Sequence, residues 1–442
     1  MQLAAAYAFL ISESEKIGLK VNRTKTFTHG PLATQIPNAT PAPEGLKLLG
    51  AWVAAPGKEA ATQAFLKKRR LENDPLFQRI PLLSSESAFA VLRFCGHPIW
   101  NYTTRTHPDT KAQSTLFDES VVGTLAKILE IERSEITHEH RLLIHLPCSL
   151  GGGGIRAYEA ICETNFAASQ NPASDAQDVR TKKIDDDLAA QLAQGPLEQQ
   201  RAANAKRHAS AWLDGPSPDF IFPSADFAAA LRYRLALHEN WGTRTARLCA
   251  CGFQCNTSAE YSHHVLGCTK RKGANVSTRH TALKNEFAKA CRENLLTTSV
   301  EPEIADGDYA DLLCFFPPND LDAAAEVIAD FTVTSTLAKY GASEEEATKK
   351  KNARYDNKNL IVAQMDVTGG MSNAICGLIR HIANFSDDEF FVQSLRERAA
   401  KTVQQFNGQI LRRASLKNHF GASLGKFAAA APAQAPSEGS LH

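Results

Sequence analysis

The feature that most restricts how this chain folds is a cluster of soft ligands in one short window. Four of its ten cysteines, Cys249, Cys251, Cys255 and Cys268, lie there beside His263 and His264. The order is Cys249-Ala-Cys251-Gly252, a polar insert, then His263-His264-Val-Leu-Gly-Cys268, which makes two close donor pairs separated by a loop. Tetrahedral Zn²⁺ needs four nitrogen or sulfur donors converging on one point, and a glycine just after the first pair lets the backbone turn tightly enough to aim both sulfurs inward. The expected ligands are Cys249, Cys251, His264 and Cys268. Cys255 and His263 stand as spare candidates, because the Cys-x-Cys spacing is tighter than in the common zinc-finger patterns. No open coordination position is implied, so the expected role is structural, with Arg247, Lys270, Arg271 and Lys272 as basic neighbours for phosphate.

Ten cysteines in 442 residues are too sparse for a disulfide scaffold, and their clustering points to metal in a reducing compartment. The length suits two or three domains, and 43% hydrophobic with 22% charged residues is ordinary for packed globular protein. A formal net charge of +1 means that attraction to nucleic acid must come from local basic stretches. The longest apolar stretches, around Ala4 to Ile11 and Ala428 to Ala431, fall far below a membrane span, so no membrane partner is expected and the reading is a soluble intracellular protein.

Along the chain, residues 1–20 read as a helix ending at Gly18, followed by extended Leu19 to Asn22 and a short strand from Leu46 to Val53. From Lys58 to Ser169 apolar residues recur at three and four spacing, the pattern of a helical domain. Gly151 to Gly154 must be a turn, since four glycines in series are costly inside a helix. Asn171 to Lys206 reads as an exposed helix or linker, with a boundary near 175–210. Beyond the cysteines come an amphipathic helix (279–294), strand-like runs at 309–316 and 326–334, and a Lys-rich helix (344–358). The Ala- and Pro-rich end reads as a disordered tail.

Two acids sit where acids are expensive. Asp311 lies in Tyr309-Ala-Asp-Leu-Leu-Cys-Phe-Phe316, and Asp330 lies in Val327-Ile-Ala-Asp-Phe-Thr-Val-Thr334. A lone carboxylate in an apolar strand needs a strand end or a cation, and two such acids on adjacent strands can share Mg²⁺ or Mn²⁺. In phosphodiester hydrolysis that metal polarises the phosphate, and a nearby lysine orients water or offsets charge. Lys349-Lys350-Lys351 follows, and only one of the three can face back, because successive helical positions differ by about 100°. Lys351 is the expected residue, with Lys350 as the alternative, and Glu301 is a candidate fourth group. The competing reading is a pair of solvated strand-end acids and a wet helix face.

Together these motifs resemble the C-terminal part of non-LTR retrotransposon polyproteins that carry a restriction-like, PD-(D/E)xK endonuclease after a zinc knuckle. The chain shows, in that family's order, Cys-Ala-Cys-Gly, His-Val-Leu-Gly-Cys268, Arg279-His280, Glu301-Pro302, Ala310-Asp311, Asp330-Phe-Thr-Val-Thr and Lys351-x-x-x-Tyr355. Gly18-Leu-Lys-Val-Asn22 and Leu46-Lys-Leu-Leu-Gly50 resemble the end of a reverse-transcriptase palm, and the helical region beyond resembles the thumb. The polymerase acids of such a palm do not occur in residues 1–17, so the resemblance implies an N-terminally truncated chain that does not copy RNA alone. Ala310 stands where many relatives have proline, and no lysine lies two residues after Asp330, so the family's displaced lysine on the next helix is invoked.

The resemblance implies a multidomain α+β chain: a residual palm (1–55), a helical thumb (56–175), a linker or helical segment (176–245), a zinc knuckle (246–272), an α/β restriction-endonuclease-like domain with a mixed sheet (273–420) and a tail (421–442). It implies metal-dependent DNA nicking for target-primed reverse transcription, with target DNA and the element's RNA as partners and the nucleus as location. Arg279 and His280 are expected to contact phosphate. The alternative is a nuclease-dead, nucleic-acid-binding remnant.

Overall fold

The computed structural model describes residues 2–22, 26–28, 40–55, 57–170, 176–218, 220–239, 246–249, 251–270, 276–305, 308–318, 325–335, 337, 344–354 and 360–420. Arg271, Lys272, Tyr355 and the tail therefore lie outside the described residues. The chain is mixed α/β and multidomain, mostly helical with small sheets. It divides into two compact units. One comprises Met1–Leu83, Val91–Leu125 and Ile155–Leu188; the other comprises Ser84–Ala90, Ala126–Gly154 and Ala189–His442. The stretch 56–175, expected as one helical domain, is thus shared between both.

In the first unit, stacked and edge-on aromatics build the core. Trp100 lies 5.1 Å from Phe117, and Phe117 lies 5.4 Å from Phe77 and 5.7 Å from Tyr158. The helix Tyr158–Gln170 begins where Asp118 accepts hydrogen bonds from the amides of Tyr158 (3.0 Å) and Glu159 (2.8 Å), filling two of its orphan donors. The segment 46–53 is a hairpin rather than one strand. Gly45–Leu48 pairs with Ala51–Ala54, and Leu49 and Gly50 both adopt positive φ, as a twist-compatible two-residue turn requires.

The second unit contains the four-glycine turn where it was expected. A Cβ on Gly151 would come within 2.1 Å of the Arg201 carbonyl oxygen, and one on Gly152 within 2.0 Å of that of Leu146. Only glycine allows this backbone approach. The Arg234 guanidinium holds the turn from inside, donating to the carbonyls of Gly152, Ala209 and Cys148 at 3.0–3.2 Å. Within 176–245, expected as a linker or helical segment, the chain is helical at Ala176–Ala193, Glu198–Asn204 and Ser224–Arg234. Helix α1 (Ser224–Arg234) is buried along nearly its whole length, including Phe227, Leu231 and Tyr233. Its alanine-rich composition reads as polar linker only when its neighbours are unknown; here the small residues admit the long helix α6 (Phe391–Phe420) at close range.

Between them in sequence lie α2 (Ser258–Gly267), α3 (Val276–Glu293), β1 (Thr297–Val300), β2 (Leu312–Phe316), β3 (Ala325–Thr334), α4 (Glu344–Arg354), β4 (Leu360–Asp366) and α5 (Asn373–Ala383). The strands form one mixed sheet in the order β1-β2-β3-β4, antiparallel except for the parallel pair β3-β4. The alternating pattern of β2 buries Leu312, Cys314 and Phe316. Phe331 of β3 packs on Phe287 of α3 at 4.8 Å, and Phe316 meets His381 of α5 at 4.8 Å. Asp330, one residue from Phe331, therefore points to the opposite face from α3's aromatic contact. The strand β4 adds a buried Val362-Ala-Gln-Met-Asp366 run to the two strand-like runs expected from the sequence.

Gly408 and Gly377 test this packing. A Cβ on Gly408 of α6 would lie 2.1 Å from the Asp226 carbonyl oxygen of α1, whereas one on Gly377 of α5 meets nothing within 4 Å. Gly408→Ala is expected to destabilise by about 1–3 kcal/mol or more through overpacking against backbone. Gly377→Ala is expected to be neutral or to stabilise by about 0.5–1 kcal/mol, because it removes helix-interior glycine entropy. Denaturant midpoints of the two variants check both, and equal midpoints would contradict the α1–α6 contact.

Candidate metal centres

The first centre is built from a hairpin and a helix. Arg247–Leu248 pairs antiparallel with Gln254–Cys255, and the loop between them carries Cys249 and Cys251. Gly252, at positive φ, donates its amide to the Cys249 carbonyl (2.9 Å), and Cys249 donates its own to Phe253 (2.8 Å), closing the tight turn the spacing demanded. Helix α2 starts at Thr257, whose hydroxyl accepts the Glu260 amide, and brings His264 and then Cys268 back to the loop.

The Sγ atoms of Cys249 and Cys268 lie 3.8 Å apart, and the Cys251 Sγ lies 3.1 Å from His264 Nε2. All four donors fall within 4.8 Å of one another. Phe253 stacks on the His264 ring at 4.5 Å, which restrains the plane of the imidazole. Burial and the neighbouring Cys249 push the Cys268 thiol up to about 11. Thiols this close cannot all ionise unaided, and a cation supplies the missing charge. The Cys₃His group therefore fits a zinc-like ion, and its members are the four residues expected. Neither spare takes part. Cys255 is fully buried in the core formed with Tyr261, Val265 and Leu266, and His263 pairs through Nδ1 with the Tyr233 hydroxyl at 3.0 Å. Of the basic neighbours, Arg247 is committed to Glu239 (2.8 and 3.1 Å), while Lys270 is exposed.

The second centre stands at one end of the mixed sheet. The β2–β3 register pairs Leu312 with Ala329, so its continuation by one residue sets Asp311 opposite Asp330. Asp330 is almost fully buried, and Asp311 is partly buried. From α4, the Lys351 ammonium donates to both Asp330 oxygens, at 2.7 and 2.8 Å. Thr348, one turn earlier on that helix, accepts from Gln364 of β4 at 2.8 Å and so fixes which face α4 turns inward. Lys350 is exposed. Of the two lysines considered, the geometry selects Lys351.

From α3, His280 adds a third donor. Its Nε2 lies 3.1 Å from Asp311 Oδ2 and 2.8 Å from the Phe331 carbonyl oxygen, and one donor atom each of His280, Asp311 and Asp330 fall within 4.8 Å. The Asp311 carboxylate beside it, aided by the Phe331 carbonyl, raises His280 above the ordinary imidazole value despite burial and Lys351. Burial and Asp311 together hold Asp330 above the usual carboxylate range, against the pull of Lys351. Burial acts on Asp311 as well, but His280, Asp330 and the Phe331 amide (2.7 Å) outweigh it and hold Asp311 below that range. Two carboxylates in contact, one of them buried, form a site for a cation or a shared proton.

Three expected residues fall elsewhere or act otherwise. Glu301 continues the β1 register to face Asp311, donating its amide to the Asp311 carbonyl (3.1 Å), but its positive φ turns the chain and its exposed side chain pairs with Lys284. Glu301 is not one of the converging donors. Arg279 does not reach phosphate: it is fully buried, donating to Asn407 Oδ1 (2.6 Å) and to the Leu266 carbonyl (3.0 Å). His280 belongs to the carboxylate cluster rather than to a phosphate-facing pair. Sequence reasoning also missed Lys284, which is buried; its spacing of four from His280 was the available signal that one face of α3 looks toward the acids.

Because the two spare donors are occupied elsewhere, the ligand set is open to direct test. Cys251→Ser and His264→Ala are expected to lower bound zinc per chain, measured by elemental analysis of purified protein, while Cys255→Ala retains it and loses only packing stability. Zinc loss in the Cys255 variant with retention in the Cys251 variant would reverse the assignment.

No protein-family model matches this chain and no curated protein does, so the interpretation of both centres stands on their own geometry.

Proposed function

We propose that this chain is a retrotransposon-derived reverse transcriptase/endonuclease fragment whose region 273–420 is a restriction-like endonuclease, nicking DNA with Mg²⁺ or Mn²⁺. One observation carries this reading: Asp311 and Asp330 face each other on adjacent strands while Lys351 grips both oxygens of Asp330. A mixed sheet with helices on it supports it further.

Asp311 and Asp330 are the residues that would hold the cation. Bound there, it would polarise a scissile phosphate and ease deprotonation of water. Lys351 is placed to orient that water or to offset charge developing on the phosphate. With no cation beside Asp330, its ammonium serves as the counter-ion of the buried carboxylate. The Phe331 amide and His280 fix the direction of Asp311. The Cys₃His centre holds zinc in a structural role, and the exposed Lys270 next to it is available to phosphate. In this reading residues 1–55 are palm-like and 56–175 thumb-like, the partners are target DNA and the element's RNA, and the protein acts in the nucleus.

Nicking of supercoiled plasmid by purified protein with Mg²⁺ or Mn²⁺ tests the proposal. The parent is expected to nick, Asp330→Asn to lose activity by about a hundredfold or more, and Lys351→Ala to lose a comparable amount while still folding. Salt-sensitive DNA binding by all three without cleavage would overturn the catalytic reading and leave a nucleic-acid-binding remnant.

A further inference from the structure

We propose that His280 is itself a ligand of the catalytic cation, through Nε2, and that this mixed nitrogen and oxygen set makes the site prefer Mn²⁺ to Mg²⁺. The inference rests on the nuclease reading above, but concerns a different residue and a different property.

Three observations carry it. The Nε2 atom, the Asp311 carboxylate and the Asp330 carboxylate converge within 4.8 Å from one helix and two strands, so three independent elements deliver donors to one point. Nε2 already lies between two oxygens, Asp311 Oδ2 at 3.1 Å and the Phe331 carbonyl at 2.8 Å, where a hydrogen on it is shared. A cation would take the place of that hydrogen, and Asp311 would remain its partner. The third observation is the rigidity of α3 at this point. Arg279, immediately before, is locked to Asn407 and Leu266, and Lys284, one turn later, is buried and paired with Glu301. The imidazole is therefore held in place by its helix rather than reaching in from a mobile surface.

The selectivity follows from ligand chemistry. Mg²⁺ takes oxygen ligands in a near-ideal octahedron and parts with water reluctantly, whereas Mn²⁺ tolerates imidazole and looser geometry and binds nitrogen-containing sites more tightly. A carboxylate-only site shows a weaker preference than one in which a protein nitrogen occupies a coordination position.

The test uses the full chain with its zinc in place. Titration calorimetry with Mn²⁺ and with Mg²⁺ is expected to show Mn²⁺ binding tighter by at least about tenfold. Pulsed electron paramagnetic resonance of bound Mn²⁺ is expected to show modulation from a directly bonded ¹⁴N. His280→Gln, checked for folding by circular dichroism, is expected to lose the nitrogen signal and most of the preference. His280→Asp, which replaces the nitrogen by an oxygen donor, is expected to keep cation binding while shifting it toward Mg²⁺. Bound Mn²⁺ with no nitrogen coupling in the parent, or an unchanged preference in His280→Gln, overturns the inference. Nicking assayed on the same samples separates it from the reading beneath it. Nicking with an oxygen-only Mn²⁺ signal overturns the His280 ligand alone; a nitrogen-bound Mn²⁺ without nicking upholds the ligand and sinks the nuclease.

Discussion

A single buried guanidinium joins the two candidate centres. Arg279 is fully excluded from solvent, and burial holds its pKa down to about 10 even with Tyr233 and Asp366 opposing the shift. Burying such a charge costs several kcal/mol unless hydrogen bonds compensate, on the order of what is lost when a buried pair is broken. The compensation here comes from Leu266 at the carboxyl end of α2, where helix carbonyls carry partial negative charge, and from Asn407 of α6. Asn407 in turn donates to the Val367 carbonyl (2.6 Å), just past β4, and Gln404 donates to the same carbonyl at 2.8 Å. One ion thus fixes the end of the helix that delivers His264 and Cys268, the helix that delivers His280, and the far edge of the sheet.

That arrangement also explains how two consecutive residues of α3 do opposite work. Neighbouring helical positions point about 100° apart, so a helix that drives Arg279 into the interior turns His280 toward the open end of β2 and β3. The same logic applies to α4, where Thr348 and Lys351 share a face while Lys350 is left in solvent. In both cases a side chain without evident chemistry sets the rotation of the helix, and the reactive neighbour inherits its direction.

How much of this could be read from the sequence depends on how local the governing chemistry is. The Cys₃His set was legible because its donors, its turn glycine and its helix all lie within twenty residues, and the unusual spacing was resolved by the Cys249–Phe253 and Gly252–Cys249 amide bonds. Asp311, Asp330 and Lys351 were legible because acids inside apolar strands are costly and therefore conspicuous. What was not legible came from partners distant in sequence. Arg279 reads as a surface cation until Asn407, more than a hundred residues on, is known to meet it. Helix α1 reads as linker because alanine carries almost no pattern, although it is the face against which Gly408 closes. The hairpin at 46–53 reads as one strand because a leucine, not only a glycine, adopts the positive φ of its turn.

The buried cations and the converging anions of the second unit differ in one respect that bears on function. Arg279, Arg234 and Lys401 each donate to fixed acceptors; Lys401, wholly buried, has Glu86, Glu397 and the Gly215 carbonyl within 2.6–2.9 Å. Their charges are spent on structure. The Asp311–Asp330 pair, although Lys351 and His280 reach it, and the thiols of the Cys₃His group also press against groups of their own kind, and burial drives Asp330 and Cys268 toward their protonated forms. Like groups stay together only where the surrounding frame is rigid enough to hold them, and the buried cations supply that rigidity. The two places where this frame brings like donors together are the places where an external cation offsets the most repulsion by binding.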